Sequence, residues 1–409
     1  MRSAGARAPA LLVAAVLAVA CAPNVTAPVP AGPLKIGVLL PYTEAAINGD
    51  IGAAQKKAVD LYLKQHAGKL AGRDVTFVWS DESVDPKIDE VKIRLLLDAN
   101  VEILLGGGGT EVAYALRDAA EAMKVVYVDT NATANALTRA AADCKPSCSS
   151  TYVFRTSASS WQLSEPLGEW AAKGGQKEFF LCYEDTAFGA ESVAGFAEGL
   201  GKNGGRATGR SAVPPGTGAW TNVIGTIRGQ PTKNVYGAFL TDDAVAFLKA
   251  WDAMGMKAAG YRLFGPGPLT DQQVLSLSRQ SAVGVVTSQF WSSELDNAET
   301  RALVDAFRRE YTDEDTGGPL TPDAYAVQMW DTMRALDEAL TKTKGSARAE
   351  ALIPALEGLS FKSPRGDFAF DRAAHNPIQD IYIREVRTSG ASVVNAVIDR
   401  FARVADPGR

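Results

Sequence analysis

The chain has 409 residues, of which 46% are hydrophobic, and its 47 acidic side chains outnumber the 42 basic ones to give a net charge of −5. Such an acidic balance argues against nucleic acid as a partner. The length exceeds one ordinary hydrophobic core, so we expect a globular protein with two lobes.

The N-terminus has the pattern of a secretory signal. Arg2 and Arg7 precede the apolar run Leu11–Ala20, which is too short to span a membrane. Cleavage after Ala20 removes both arginines and no acid, which leaves 40 basic against 47 acidic side chains and a net charge of −7. We therefore predict that residues 1–20 are a signal peptide and that the protein works outside the cytoplasm.

Cys21 directly follows the small residues of this cleavage site. The segment Leu17-Ala-Val-Ala-Cys21 resembles the lipobox of bacterial lipoproteins, in which the cysteine is diacylated and becomes the first mature residue. Ala18 departs from that motif, which usually carries leucine there, and ordinary secretion with a cut near Ala20 is the alternative. Residues 21–33 include four prolines and are predicted to form an extended tether, lipidated at Cys21.

The remaining cysteines and the histidines indicate which disulfides, metal sites and catalytic chemistry the chain can have. Cys144 and Cys148 lie in a polar segment where an oxidising compartment could close a small disulfide loop. Cys182 lies in a β-rich run and is predicted to be a buried free thiol. The only histidines, His66 and His375, are far apart, so we expect no metal site. Since a Gly-x-Ser-x-Gly elbow is also missing, we expect neither an enzyme nor a cofactor.

From Leu34 onward, short β-rich runs alternate with amphipathic helical stretches, which predicts parallel sheets with helices on both faces. The predicted strands are 34–40, 74–79, 101–105, 125–128, 151–154, 177–183, 235–240, 261–264 and 283–286. The predicted helices are 50–66, 85–100, 111–123, 161–173, 189–203, 219–228, 242–254, 297–311 and 322–340. Residues 368–386 and 393–398 alternate as antiparallel strands.

Two lobes of this kind predict a ligand cleft at the carboxyl ends of their strands. The loop Gly106–Thr110 follows a strand, and its glycines allow close approach of backbone to a ligand while the next helix offers N–H groups to an anion. It matches neither a phosphate loop nor a dinucleotide fingerprint, because no Gly-Lys-Ser or Gly-Lys-Thr follows and the third glycine position is Glu111. A tight strand-to-helix turn explains the glycines equally well.

Polar residues follow three further strands. Asp129–Thr133 could donate hydroxyls to a bound carboxylate, or it could cap the next turn. Glu184–Gly189 and Thr241–Asp243 follow second-lobe strands, and acids at these points are also favoured by the helix dipole alone. The ring of Phe188 is expected beside the mouth of the cleft.

These motifs, in this order, resemble the type I periplasmic binding proteins, and most closely the Liv-type receptors for branched-chain amino acids that serve ABC importers. The similarity spans about Leu34 to Val386. The segments that carry it are Lys35–Thr43, Ser83–Pro86, Gly106–Thr110, Asn131–Thr138, Tyr152–Thr156, Asp185–Gly189, Phe368–Asp371 and the stretch from His375 through Ile383.

The resemblance implies an α/β fold of two doubly wound parallel-sheet lobes joined by three hinge crossovers. We expect the crossovers near Thr156, Ser288 and Ser363. The implied division assigns residues 34–156 and 289–362 to lobe 1, and residues 157–288 and 363–406 to lobe 2.

The resemblance also implies how a ligand is held. Gly109 and Thr110 would bind its carboxylate together with Asn131 and Thr133. The resemblance also implies that Asn48 contacts the side chain of the ligand, that Phe188 packs on the ligand, and that Trp291 forms a wall of the pocket. Thr241 and Asp242, at the end of a second-lobe strand, are further candidate ligand contacts.

One departure from the family concerns the ligand amine. Amino acid receptors of this family hold the ammonium with a carboxylate in the loop that is here Gly265–Thr270, and Gly267 occupies the acidic position. A buried ammonium without a counter-charge costs several kcal/mol in effective terms. Either Asp129, Asp185 or Asp242 replaces that carboxylate, or the ligand has no α-amine. Relatives with such a glycine-rich loop resemble receptors for aromatic and other organic acids, so both ligand classes stay open.

The predicted function is therefore the solute-binding component of an ABC importer. It would bind an amino acid or a small organic acid as a monomer, deliver it to a permease in the inner membrane, and touch the membrane only through the lipid on Cys21. A ligand-sensing receptor of the same fold that feeds a signalling partner is the alternative.

Overall fold

The computed structural model describes residues 1, 32–43, 47–83, 85–139, 150–313, 317–390 and 392–408. The predicted signal peptide apart from Met1, the predicted lipidation site Cys21 and the pair Cys144 and Cys148 lie outside the described residues. Cys182 is a buried free cysteine, as predicted. No helix among the described residues is long and apolar enough to cross a membrane.

The first sheet has six strands in the order β2-β3-β1-β4-β5-β6. All neighbouring pairs are parallel except the short hairpin of β2 and β3. Every residue of the first strand except Lys35 is buried, as expected for a parallel strand covered on both faces. The strands are β1 (Leu34–Leu40), β2 (Lys69–Leu70), β3 (Arg73–Asp81), β4 (Ile103–Gly106), β5 (Val126–Asp129) and β6 (Val153–Arg155).

Helices cover both faces of this sheet. One face packs against α2 (Pro86–Asp98) and α3 (Thr110–Met123), and the other against α1 (Ile47–Gln65) and three helices from later in the chain. Those three are α9 (Ala298–Glu310), α10 (Ala324–Lys342) and α11 (Ala349–Glu357). The α2 helix begins where its sequence directs, because the Asp85 carboxylate accepts a hydrogen bond from the Lys87 N–H and proline follows directly.

The second sheet has nine strands. Its parallel part runs in the order β8-β7-β9-β10-β11, and β14 then pairs antiparallel with β11, β13 and β15. The strands are β7 (Glu178–Glu184), β8 (Arg206–Val213), β9 (Asn234–Ala238), β10 (Arg262–Pro266), β11 (Val286–Gln289), β12 (Ser360–Ser363), β13 (Gly366–Phe370), β14 (Pro377–Ser389) and β15 (Ser392–Val404).

This sheet also lies between two layers of helices. One layer is α4 (Glu165–Lys173) and α5 (Ala187–Lys202), whose core includes Phe179 and Phe196. The other layer is α6 (Trp220–Arg228), α7 (Thr241–Ala253) and α8 (Gln272–Ser278). The chain passes from one sheet to the other after β6, after β11 and after α11. Two mostly parallel sheets with helices on both faces confirm the predicted α/β fold class.

Some elements differ from the predictions. The strand predicted at 283–286 begins at Val286, because its ladder with β10 starts at the pair Phe264 and Val286. The sequence reasoning did not predict β8, α8 or α11. The β8 strand lies at the edge of the sheet and most of its residues are exposed or half-buried, so it lacks the apolar run that marks the central strands.

Candidate functional site

A cavity of about 450 Å³ lies where the carboxyl ends of strands from both sheets face each other. This is where open α/β sheets bind ligands. The first sheet and its helices contribute Pro41, Ile51, Glu82, Ser83, Gly108, Gly109 and Asn131. The second contributes Glu184, Pro215, Gly216, Leu240, Thr241, Asp242 and Asp243.

Glycines shape the first-lobe loop after β4. Gly106 and Gly107 have φ angles of +119° and +88°, which L-residues with side chains rarely adopt. A Cβ atom on Gly106 would lie 1.9 Å from the Leu39 carbonyl oxygen on the neighbouring strand. The loop therefore fits tightly against β1 and delivers the backbone of Gly108 and Gly109 to the cavity.

The Glu82 carboxylate occupies the N–H groups of this loop. The Gly108 N–H donates to Oε2 at 2.7 Å and the Gly109 N–H donates to Oε1 at 3.0 Å. Glu82 follows β3 and is 9% exposed, so these charge-assisted bonds are shielded from water. The sequence reasoning missed Glu82, although an acid directly after a strand at the same sheet edge was a usable signal.

The strand end after β5 contains a buried ion pair. Asp129 lies 3.7 Å from the Arg155 guanidinium, and neither side chain is exposed. The Ala132 N–H donates to Asp129 Oδ1 at 3.0 Å, and Arg155 Nη1 donates to the Ala134 carbonyl at 2.9 Å. Burial raises the pKa of Asp129 to about 6, against the opposing effect of Arg155. This ion pair fixes the loop that carries Asn131, so the Asp129 carboxylate stabilises the loop.

Asn131 bridges the two first-lobe loops. Its Nδ2 donates to the Gly108 carbonyl at 2.7 Å, while its buried Oδ1 has no hydrogen-bond partner among the described residues. Buried acceptors are seldom left unpaired in folded proteins. The side chain therefore holds an unused acceptor beside the cavity.

In the second lobe, Glu184 ends β7 and is 5% exposed. Its Oε1 accepts a hydrogen bond from the Leu240 N–H at 3.0 Å. Burial raises the pKa of Glu184 to about 7, and the negative charge of Asp243 adds to the shift. Asp243 itself accepts from the Gly216 N–H at 2.7 Å. Two carboxylates of the same lobe thus contact backbone donors at the edge of the cavity.

Thr241 begins α7 with a φ angle of +46°. A β-branched residue is rare in this left-handed region because its side chain crowds the backbone. Residues in such conformations cluster at ligand clamps and active sites. This observation singles out the predicted residue Thr241 independently of the sequence pattern.

The structure brings only some of the predicted site residues together. Gly109, Asn131, Thr241 and Asp242 line the cavity. Four other predicted contacts, Thr110, Thr133, Phe188 and Trp291, do not line it. Thr110 is the first residue of α3, and Thr133 Oγ1 accepts a hydrogen bond from Ser160 Oγ at 3.0 Å. Phe188 packs in the second-lobe core, and the buried Trp291 donates from Nε1 to Thr300 Oγ1 at 3.2 Å. The side chain of Asn48 is outside the described part of the chain.

The structure gives a physical reason for the glycine at position 267. A Cβ atom there would lie 2.3 Å from Gln289 Nε2, which itself donates to Asp271 Oδ1 at 3.2 Å. Gln289 therefore fills the space that a side chain at position 267 would need. Of the three acids considered as replacements, Asp129 is paired internally, Asp185 is exposed and lies outside the cavity lining, and Asp242 lines the cavity.

We predict that Glu184→Gln stabilises the protein at high pH. A carboxyl whose folded pKa is raised destabilises the fold once the pH rises above its unfolded pKa, and the cost is complete above about pH 7. Water in the cavity screens the charge, so we expect a gain on the order of 1–2 kcal/mol at pH 8 that disappears near pH 4. Urea unfolding of both proteins at the two pH values measures it. An equal difference at both pH values would contradict the prediction.

Comparisons with known proteins agree with this geometry. The family model described as Periplasmic binding protein matches residues 33–391. Leu/Ile/Val-binding protein homolog 6 of Brucella suis biovar 1 (strain 1330) is 27% identical over 381 residues, which cover 92% of this chain and 93% of that protein.

Two solved structures are similar over nearly the whole chain. A solute-binding protein of an ABC transporter from Rhodopseudomonas palustris BisB5, in complex with 3,4-dihydroxybenzoic acid, has a TM-score of 0.83 and 27% identity over 92% of this chain and 99% of that one. An ABC transporter solute-binding protein from R. palustris, in complex with benzoate, has a TM-score of 0.79 and 30% identity over 91% of this chain and 98% of that one. The two-sheet fold, the cavity between the strand ends and these matches together show that the chain belongs to the periplasmic binding protein family.

Proposed function

We propose that the chain is the solute-binding component of an ABC importer and that it binds an amino acid or a small organic acid, aromatic acids included, between its two lobes. The observation that carries the proposal is the cavity of about 450 Å³ with walls from both sheets. Family membership assigns the chain to solute-binding proteins and not to enzymes. The relatives support both ligand classes, because one is named as a Leu/Ile/Val-binding homolog and two were solved with benzoates.

A solute in this cavity contacts both lobes at once. Its binding stabilises the closed arrangement by the difference in its affinity for the closed and open forms. We propose hinges at Thr156, Ser288 and Ser363. Support comes from Arg365, which links two of these segments: its Nη1 donates to the Thr156 carbonyl at 2.8 Å, and its backbone N–H donates to Ser363 Oγ at 3.1 Å.

A thermal-shift screen tests the proposal. The panel contains branched-chain and aromatic amino acids, benzoate, 4-hydroxybenzoate and 3,4-dihydroxybenzoate. At least one class should raise the melting temperature, because a ligand at 100 times its Kd adds about 2.7 kcal/mol to the free energy of unfolding. Asn131→Ala should reduce the shift, whereas the exposed control Asp185→Asn should preserve it. A folded protein that responds to no compound would count against the proposal.

We further propose that the protein reaches the periplasm through a signal peptide at residues 1–20. A lipid on Cys21 would then hold it beside the permease, and the proline-rich tether would raise its effective concentration there. The support is the sequence pattern at the N-terminus.

Replacing Cys21 by serine tests the anchor. Serine cannot form the thioether to the lipid, so the variant should move from the detergent phase to the aqueous phase on phase partitioning. The wild-type protein should remain with the detergent, and its processing should be sensitive to globomycin. A wild-type protein that already partitions into water would show ordinary secretion instead.

A further inference from the structure

The charged side chains that line the cavity all have the same sign. Among the described lining residues there are four carboxylates, Glu82, Glu184, Asp242 and Asp243, and no lysine, arginine or histidine. They come from both lobes, so a bound solute faces negative charge on both sides. A cleft lined by one sign of charge concentrates solutes of the opposite sign.

The first-lobe anion site is already occupied by the protein's own carboxylate. The N–H groups of Gly108 and Gly109 both donate to Glu82, at 2.7 and 3.0 Å. A solute carboxylate that took these two donors would have to displace Glu82 and leave its charge partly buried. Such a displacement costs free energy, because a buried charge needs partners.

The arginine at the end of β6 offers no compensating charge to an anionic solute. Arg155 has no exposed surface, and its guanidinium faces Asp129 at 3.7 Å and donates to the Ala134 carbonyl and Ser157 Oγ at 2.9 and 3.0 Å. Its charge is therefore used within the loop that supports Asn131.

The unused hydrogen-bonding capacity beside the cavity is an acceptor. Asn131 Oδ1 is buried and has no hydrogen-bond partner among the residues that the structure describes, while the Nδ2 of the same amide donates to the Gly108 carbonyl. A carboxylate cannot satisfy this oxygen because it has no proton to donate, whereas an ammonium or guanidinium group can. The acceptor and the four carboxylates thus favour the same chemistry.

We propose that the solute carries a protonated amine or guanidinium group, that Glu82, Glu184 and Asp242 with Asn131 Oδ1 recognise it, and that a carboxylate on the solute is dispensable. This inference rests on the proposed solute-binding function and chooses between its two ligand classes. It places the recognising acids directly after β3, at the end of β7 and at the start of α7, in place of the loop around Gly267.

Matched ligand sets test the inference by isothermal titration calorimetry on the purified protein. One set is leucine, 4-methylpentanoate without the amine, and isoamylamine without the carboxylate. The other is phenylalanine, 3-phenylpropionate and phenethylamine. In at least one set the amine should bind within about tenfold of the amino acid, and the acid should bind at least about tenfold more weakly than the amine. An acid or a benzoate that binds as tightly as the amines, or more tightly, overturns the inference and leaves the proposed function intact. If no amine, amino acid or acid binds, the proposed function fails as well.

Variants identify the residues. Asp242→Asn and Glu184→Gln should each weaken amine binding by about tenfold, because each removes one charge of the set. Asp185→Asn is the control, since Asp185 is exposed and does not line the cavity. Equal affinities in all three variants would overturn the assignment.

Glu82 allows a gain-of-binding test. Glu82→Ala frees the N–H groups of Gly108 and Gly109, so the affinity for 4-methylpentanoate or 3-phenylpropionate should rise by about tenfold while amine binding falls. Glu82→Gln preserves an acceptor for the loop and replaces the alanine variant in the test if that variant does not fold. Its affinity for amines should fall, and its affinity for the two acids should not rise. Unchanged affinities for acids and amines in the variant that folds would contradict the role of Glu82.

Discussion

Replacing Asp331 by alanine is expected to lower the free energy of unfolding by about 3–5 kcal/mol, because it leaves a buried guanidinium without its counter-charge. Asp331 on α10 lies 2.7 Å from Arg365 Nε, and neither side chain has exposed surface. Burial lowers the pKa of Arg365, and the neighbouring Asp331 carboxylate opposes that shift because it stabilises the charged guanidinium. The Ser363 hydroxyl also donates to Asp331 at 2.7 Å. The loss should therefore affect the segments at which we propose hinges.

Urea unfolding measures this prediction, and the same helix provides the control. Glu338 pairs with Arg334 at 2.9 Å in a half-exposed i,i+4 arrangement, so Glu338→Ala should cost less than about 1 kcal/mol. Asp331→Asn preserves an acceptor for Ser363 and should lie between the two. Equal losses in Asp331→Ala and Glu338→Ala would contradict the stabilising role of the buried pair.

Replacing Gly106 by alanine is expected to cost about 2–6 kcal/mol and to weaken solute binding. The φ angle of +119° at this position carries a strain of about 1–3 kcal/mol for a residue with a side chain. The new Cβ would also meet the Leu39 carbonyl oxygen at 1.9 Å, and overpacking of this kind adds about 1–3 kcal/mol. Gly106 is paired with Leu39 in the parallel ladder, so the backbone cannot move away without breaking the sheet.

The matched control is Gly109→Ala in the same loop. Gly109 has a φ angle of −113°, and within the described part of the chain its Cβ would meet only Glu82 Oε1 at 3.5 Å, an ordinary contact. The free energy of unfolding should change by less than about 0.5 kcal/mol. Thermal and urea unfolding, together with calorimetry on any ligand from the screen, compare the two variants. If Gly106→Ala were as stable as Gly109→Ala, the tight fit of the loop against β1 would be wrong.

Local patterns account for the parts of the site that could be predicted. Central strands such as β1 are nearly continuous apolar runs, and polar residues directly after them mark the strand ends. Because the carboxyl ends of parallel strands meet at one edge, this reasoning predicts a cleft there, and Gly109, Asn131, Thr241 and Asp242 line the cavity at that edge. The same strand-end pattern also pointed to Thr110, Thr133 and Phe188, and these do not line the cavity. Trp291, assigned only by resemblance, does not line it either.

The sequence by itself determined the two-lobed α/β architecture, the residues that form the main strands, and the glycine-rich loop. Hydrophobic periodicity and glycine conformation determine these features because they are properties of short segments. Only the tertiary structure decided which charges line the cavity. Arg155 forms a buried ion pair with Asp129, and Gln289 fills the space beside Gly267. The Glu82 carboxylate accepts hydrogen bonds from the N–H groups of Gly108 and Gly109. Each of these contacts joins residues that are distant in the chain, so no local pattern encodes them.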